Sequence, residues 1–296
     1  MTDNLDKKVA LQLKELEKNK EFLEVIKKSK LSPEEAQRVI KGMTGVNPHM
    51  YSGKRISFSD KHVRFGIISD PHMGHRNYRP DALRHAYKNF KRSGVEFIVN
   101  GGDTIEGMSG REGHIYELSH IGASEQLRYF QNEFKELHKI PVYSIEAQDS
   151  HGGWFHSKGN AGLNIGEELE SRAKNYNFLG YDEQDLTLDN GLIIRLRHPG
   201  GGTAYAVSYK MQKYAESIDD IAKPDIIVQG HFHKANYMFY RGMHCIDAGA
   251  LQDQSPFMKK KGSPSHVGYW IIDAQVTKSG KNKGRVEQIK TEFVPC

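Results

Sequence analysis

Cysteine is almost missing from this chain of 296 residues: only Cys245 and Cys296 occur. Two thiols cannot build a disulfide framework or a Cys-based zinc site. Long apolar runs are missing as well. Stretches such as 97–99 and 225–228 are far too short to span a bilayer. An apolar leader is missing too, because the chain opens Met-Thr-Asp-Asn-Leu-Asp-Lys-Lys. These gaps make a reducing cytoplasm the expected address and exclude a membrane partner as an expectation. No internal repeat or low-complexity tract interrupts the chain.

Histidine, by contrast, is abundant, at 15 residues. Any bound metal is therefore expected to take imidazole and carboxylate, not thiolate. Aromatics at 10% argue for an ordered core. The length suits one large domain or one domain with a small appendage. Net charge is +5, of which +3 falls in residues 1–60. That balance tolerates a DNA or RNA partner without requiring one.

Apolar residues from Leu5 to Ile26 recur at three-to-four spacing, predicting a helix over 3–28. Ser32-Pro33-Glu34-Glu35 starts a second helix that Gly42 stops. Residues 1–44 are thus expected to be a helical arm and 45–60, with Gly45, Pro48 and Gly53, a linker. The remaining 61–296 alternate strand and helix. Strands are predicted at 63–68, 96–100, 140–146, 191–197 and 226–229, with more between 237 and 272. Helices are predicted at 80–93, 119–138, 166–175 and 203–217. That order is the signature of an α/β layered fold.

Each apolar strand is followed by polar chemistry: Asp70-Pro71-His72, Gly102-Asp103, Glu146 to His151, His198, and Gly230-His231-Phe232-His233. Ligands in α/β folds bind beyond the carboxyl ends of strands. Five strand ends therefore deliver Asp and His side chains to one edge, enough for two divalent cations sharing a carboxylate. Such a pair can clamp a phosphate and stabilise a leaving oxygen.

The ordered set Asp70-x-His72, Gly102-Asp103, His198 and Gly230-His231-x-His233 resembles the motif series of the calcineurin-like metallophosphoesterases. The turn Asp247 to Leu251 resembles the one that follows the last motif. The resemblance spans residues 63 to about 255. It implies a four-layer α/β/β/α sandwich with the N-terminal helical extension added. It also implies a first metal on Asp70, His72 and His233, a bridging Asp103, and a second metal on His198 and His231. Manganese is the first expectation, with zinc, iron, nickel or magnesium as alternatives.

One motif departs from the family's Gly-Asn-His-Asp/Glu. Here the loop reads Glu146-Ala147-Gln148-Asp149-Ser150-His151. In one register Gln148 and Asp149 take the Asn and His places. In the other, Ser150 and His151 do. The second is preferred, because only it keeps an imidazole able to protonate a leaving group. Asp149 is then the expected metal ligand of this loop, since a carboxylate outcompetes a hydroxyl or amide for a dication.

His75, Gly201 and Gly202 are the candidate substrate contacts. The run His198-Pro199-Gly200-Gly201-Gly202-Thr203 is expected to lead into a helix N-terminus, on which Tyr205, Tyr209 and Lys213 would share a face. His114, His120 and His156 are expected to be exposed or satisfied in the core. Lys259-Lys260-Lys261 is a solvated run that could guide a polyanion. The expected function is a dinuclear metal-dependent phosphodiesterase acting on nucleic acid or nucleotides, with His151 and Asp103 as catalytic residues. A phosphomonoesterase, phosphoprotein phosphatases included, and a metal-binding scaffold are the alternatives.

Overall fold

The structure is a computed structural model that describes residues 53–296, apart from 138 and 158–161. The expected arm over 1–44 lies outside the described residues, as does most of the expected linker.

Twelve strands are described: β1 (Lys54–Ile56), β2 (His62–Ile68), β3 (Phe97–Asn100), β4 (Val142–Glu146), β5 (Tyr176–Tyr181), β6 (Glu183–Leu188), β7 (Ile193–Arg197), β8 (Ile226–Gln229), β9 (Ala235–Tyr240), β10 (Met243–Ala248), β11 (Gly268–Val276) and β12 (Val286–Pro295). They form two six-stranded sheets, ordered β12-β11-β2-β3-β4-β5 and β1-β6-β7-β8-β10-β9. Strands β2 to β5 are parallel, and so are β7, β8 and β10. Their carboxyl ends carry the polar motifs.

Six α-helices are described: α1 (Pro80–Arg92), α2 (Ala123–Glu136), α3 (Trp154–Ser157), α4 (Ile165–Arg172), α5 (Tyr209–Ser217) and α6 (Pro256–Lys260). Helix α1 begins with Pro, carries Asp81 in its first turn and ends in Lys91 and Arg92, all favourable to the helix dipole.

Three apolar clusters define the layers. Phe65 and Ile67 of β2 meet Leu186, Ile194 and Leu196 of the other sheet, so the middle core lies between the sheets. Leu83 and Phe90 of α1, Phe130 of α2 and Leu169 of α4 cover the outer face of the first sheet. Met211 and Ala215 of α5 cover Ile227, Met243 and Cys245 of the second. This is the expected four-layer α/β/β/α sandwich.

Three expectations are corrected. Lys54–Ile56 pairs in parallel with β6, so part of the segment expected as linker is a sheet edge and the sandwich begins before residue 61. Strands β5 and β6 fill a stretch with no predicted strand. In β6 buried Gln184, Leu186 and Leu188 alternate with half-buried Glu183, Asp185 and Thr187. Helix α5 starts at Tyr209, not 203, because only from Met211 onward does the segment have an apolar face to bury. Tyr205 therefore precedes the helix and is fully exposed, and the glycine run does not open onto a helix N-terminus.

Candidate metal centre

The site is assembled by turns that leave the strand ends at a steep angle. Among the described residues, eight other than glycine have positive φ, and six of them are Asp70, His72, Asp103, His151, His231 and His233. L-residues adopt that region at a cost, and it persists where the surroundings over-determine it, as at functional sites. Backbone bonds supply that constraint. Asp70 N–H donates to Gly102 O and His72 N–H to Asp103 O, each at 3.0 Å. Leu251, in the turn after β10, donates to Ser69 O at 3.1 Å and so ties that turn to the first motif. Gly102 must lack a side chain, since a Cβ there would lie 2.6 Å from Nδ1 of His198.

Three overlapping groups of metal-ligating side chains result: Asp70, His72 and His233; His72, Asp103 and His151; and Asp103, His198 and His231. In each group the candidate ligand atoms lie within 4.8 Å of one another. Asp103 belongs to two groups, and its Oδ2 lies 3.0 Å from His198 Nε2, 3.5 Å from His151 Nε2 and 4.0 Å from His72 Nε2. That oxygen has no hydrogen-bond partner although it is buried. Nε2 atoms of His72 and His233 face each other at 3.0 Å. Two buried imidazole nitrogens and an unsatisfied carboxylate oxygen converging in this way fit a divalent cation.

Ring orientation is set from behind. His198 donates Nδ1–H to Gly101 O at 2.7 Å, leaving Nε2 for Asp103. His231 donates Nε2–H to Gly201 O at 2.7 Å, leaving Nδ1 as its lone-pair nitrogen. Such partners fix the tautomer that a ligating histidine needs.

Glu106, which the sequence reading passed over, is the hub of the first half-site. It is buried, and its carboxylate lies 2.8 Å from His72 Nδ1, 3.3 Å from His151 Nδ1 and 2.7 Å from His114 Nε2. His114 is thus a core histidine whose partner is this carboxylate. The available signal was spacing, since Glu106 stands three residues after Asp103 beyond the same strand.

Protonation follows from these neighbours. Burial disfavours charge on His72, but Asp70 and Glu106 outweigh it and lift the imidazole to about 10. His198 is raised to about 9, where Asp103 overcomes burial. Burial, reinforced by His198, lowers His231 to about 4, and burial lowers His233. Against burial, the surrounding imidazoles hold Asp70, Asp103 and Glu106 below the usual carboxylate range.

The variable loop is placed as follows. His151 joins Asp103, and Ser150 donates its hydroxyl to Asp103 Oδ1 at 3.4 Å. Ser150 and His151, the pair of the preferred register, are thus the two loop side chains beside Asp103. The structure does not bring Asp149 to the ligand groups: its side chain is exposed, and its backbone carbonyl accepts from the Trp154 indole at 2.9 Å. Carboxylate chemistry favours Asp149, but Ser150 and His151 are the loop residues that reach Asp103.

A cleft of about 1000 Å³ opens over the centre, lined by His72, Glu106, His151, Trp154, His231 and His233. The expected substrate contacts Gly201, Gly202 and His75 also line it. His75 is buried, accepts from Asn77 N–H at 2.9 Å and lies 3.5 Å from Glu117. Among the described residues no helix is long and apolar enough to cross a membrane.

The layers, the strand-end motifs and their order agree. Two six-stranded sheets between helical layers are what the resemblance to the calcineurin-like metallophosphoesterases implied. No family model matches the chain. The small subunit of DNA polymerase II from two strains of Halobacterium salinarum is 21% identical over 268 residues, covering 76% of this chain and 50% of that protein. The chain thus spans about half the length of the curated relatives it matches. Similar solved structures include an archaeal phosphodiesterase (13% identity, TM-score 0.42, covering 78% of this chain and all of that one). Vacuolar protein sorting 29 from Cryptosporidium parvum is another (14% identity, TM-score 0.41, covering 80% of this chain and all of that one).

Proposed function

We propose that the protein is a dinuclear metal-dependent phosphodiesterase acting on nucleic acid or nucleotides. The observation that carries this reading is the sharing of Asp103 between two ligand groups, one with His72 and His151 and the other with His198 and His231, while His72 also belongs to the group with Asp70 and His233. In this reading Asp70, His72 and His233 hold one cation, His198 and His231 the other, and Asp103 joins them. Divalent cations bound there supply positive charge opposite the phosphoryl oxygens and acidify a water.

The chain's own residues do the rest. His151, half-buried at the cleft wall, protonates the departing alkoxide. Glu106 holds its other nitrogen and fixes the ring. Gly201 and Gly202 border the substrate, and Ser150 takes the place given to Asp149 in the sequence reading. Manganese remains the first choice of metal. The curated relatives' name, a DNA polymerase subunit, supports a nucleic-acid substrate.

The test is hydrolysis of bis-p-nitrophenyl and p-nitrophenyl phosphate by metal-stripped protein refilled separately with manganese, zinc, nickel or magnesium. A refilled wild type should cleave the diester faster, and Asp103→Asn should cleave neither. Faster cleavage of the monoester would overturn the diesterase reading. Inactivity with every metal would overturn the enzyme reading.

A further inference from the structure

The cleft lining also carries an aromatic ring that neither the candidate centre nor the core uses. Phe257 lines the cleft and is 47% exposed. The Arg111 guanidinium lies over the ring, 5.3 Å from its centroid, and the Lys261 ammonium over it at 5.9 Å, so two flexible cations lie against the exposed ring. Lys259 and Lys260 extend the positive charge along α6. One acid, Glu117, pairs with Arg111 at 2.8 Å and holds the guanidinium in place.

The segment that presents the ring is well anchored. Ser255 accepts from Met258 N–H at 3.2 Å and Pro256 opens α6. Gln254 donates to Ser263 O at 2.8 Å and Ser265 to Gln252 O at 2.6 Å, tying both flanks together. An anchored aromatic left half in solvent can stack a base with little further ordering of its own segment, once the long Arg111 or Lys261 side chain turns from the ring to a phosphate.

We infer that Phe257, with Arg111 and Lys261, is a stacking platform for an unpaired base of single-stranded nucleic acid whose phosphodiester enters the metal centre. The proposal rests on the phosphodiesterase reading and names its substrate class. An aromatic face takes the base, and the flanking cations take the adjacent phosphates. A base inside a duplex is stacked and cannot present its face to the ring, so the platform selects single strands.

Binding tests this apart from turnover. The full chain in chelator is titrated with a fluorescent oligothymidylate and with an abasic oligomer of the same length. Wild type should prefer the oligothymidylate. Phe257→Ala should weaken that complex by about 5- to 10-fold, the loss of one stacked base, leave the abasic complex unchanged, and be rescued by Phe257→Trp. With manganese, Phe257→Ala should raise KM for thymidine 5′-p-nitrophenyl phosphate and leave methyl p-nitrophenyl phosphate unaffected. If wild type binds both oligomers alike or binds neither, or if Phe257→Ala keeps the wild-type ratio, the platform is overturned. Failure to hydrolyse either ester strikes the phosphodiesterase reading instead, because the binding arms need no turnover.

Discussion

Two buried glutamates lie on either side of the Asp103 turn, and their surroundings push them in opposite directions. Glu106 faces three imidazoles, which hold it ionised despite burial. Glu146 ends β4, has only neutral hydrogen-bond donors, and feels the Asp103 charge, which adds to its burial. Thr104 donates to it through both backbone and hydroxyl, and the Tyr176 hydroxyl donates at 2.8 Å. Burial dominates there, those hydrogen bonds oppose it only in part, and the carboxyl rises to about 7. The difference teaches that burial by itself does not decide the charge of a carboxyl. Cationic partners do, and here they mark which glutamate belongs to the chemistry.

The sharpest way to break the comparison is to neutralise each glutamate in turn. Glu106→Gln should cost about 3 kcal/mol of stability at pH 7.5 in chelator, because buried imidazolium groups lose their counter-charge. It should also lower kcat on bis-p-nitrophenyl phosphate by about 100-fold, since His72 and His151 lose the group that orients them. Thermal melts and initial rates measure both. A variant as stable and active as wild type would remove Glu106 from the centre.

Glu146→Gln should do the reverse and stabilise the chelated protein by about 1–2 kcal/mol at pH 8. The sign follows from the raised folded-state value. Stability from Glu146 is complete below its ordinary value of 4.5 and is lost as pH rises through about 7. The gain of the glutamine variant should therefore grow between pH 5 and pH 8. Glu106, held low, gives the opposite slope: its contribution is complete above its ordinary value of 4.5 and is lost only in acid. Parallel pH profiles for the two variants would refute the contrast.

A smaller effect should appear on metal loading. With His72 raised to about 10 and His198 to about 9, both carry protons at pH 7.5 when no metal competes. Adding manganese to chelator-treated, dialysed protein in weak buffer should release about one to two protons per chain, read with an indicator dye. Metal uptake without proton release would place the ions elsewhere. The smallest effect is expected of Asp149→Ala. Its exposed side chain should leave metal content unchanged and activity within about 2-fold, as usual for surface changes. A lost metal equivalent would restore it as a ligand.

Much of the site was legible because its signal is local. A short, mostly apolar run followed by glycine, aspartate or histidine needs no distant contact to be read, and Asp70, His72, Asp103, His198, His231 and His233 all stand at such strand ends. The loop after β4 was only partly legible. Its register depends on Gly107, where any Cβ would collide with the His151 carbonyl, and that contact joins two segments far apart in sequence. Glu106 escaped because its pairing with His114 needs the 107–122 loop to fold back, held by Ser119 N–H on Gly74 O at 2.7 Å. Phe257 and Arg111 escaped for the same reason.

The sequence by itself determined the alternation of strand and helix and which Asp and His residues stand at the strand ends, because apolar periodicity and residue type act over a few neighbours. Only the tertiary structure decided which carboxyl is charged, which loop residue turns toward Asp103, and where α5 begins. Those outcomes depend on burial and on partners brought together from both sheets, and no local pattern encodes them.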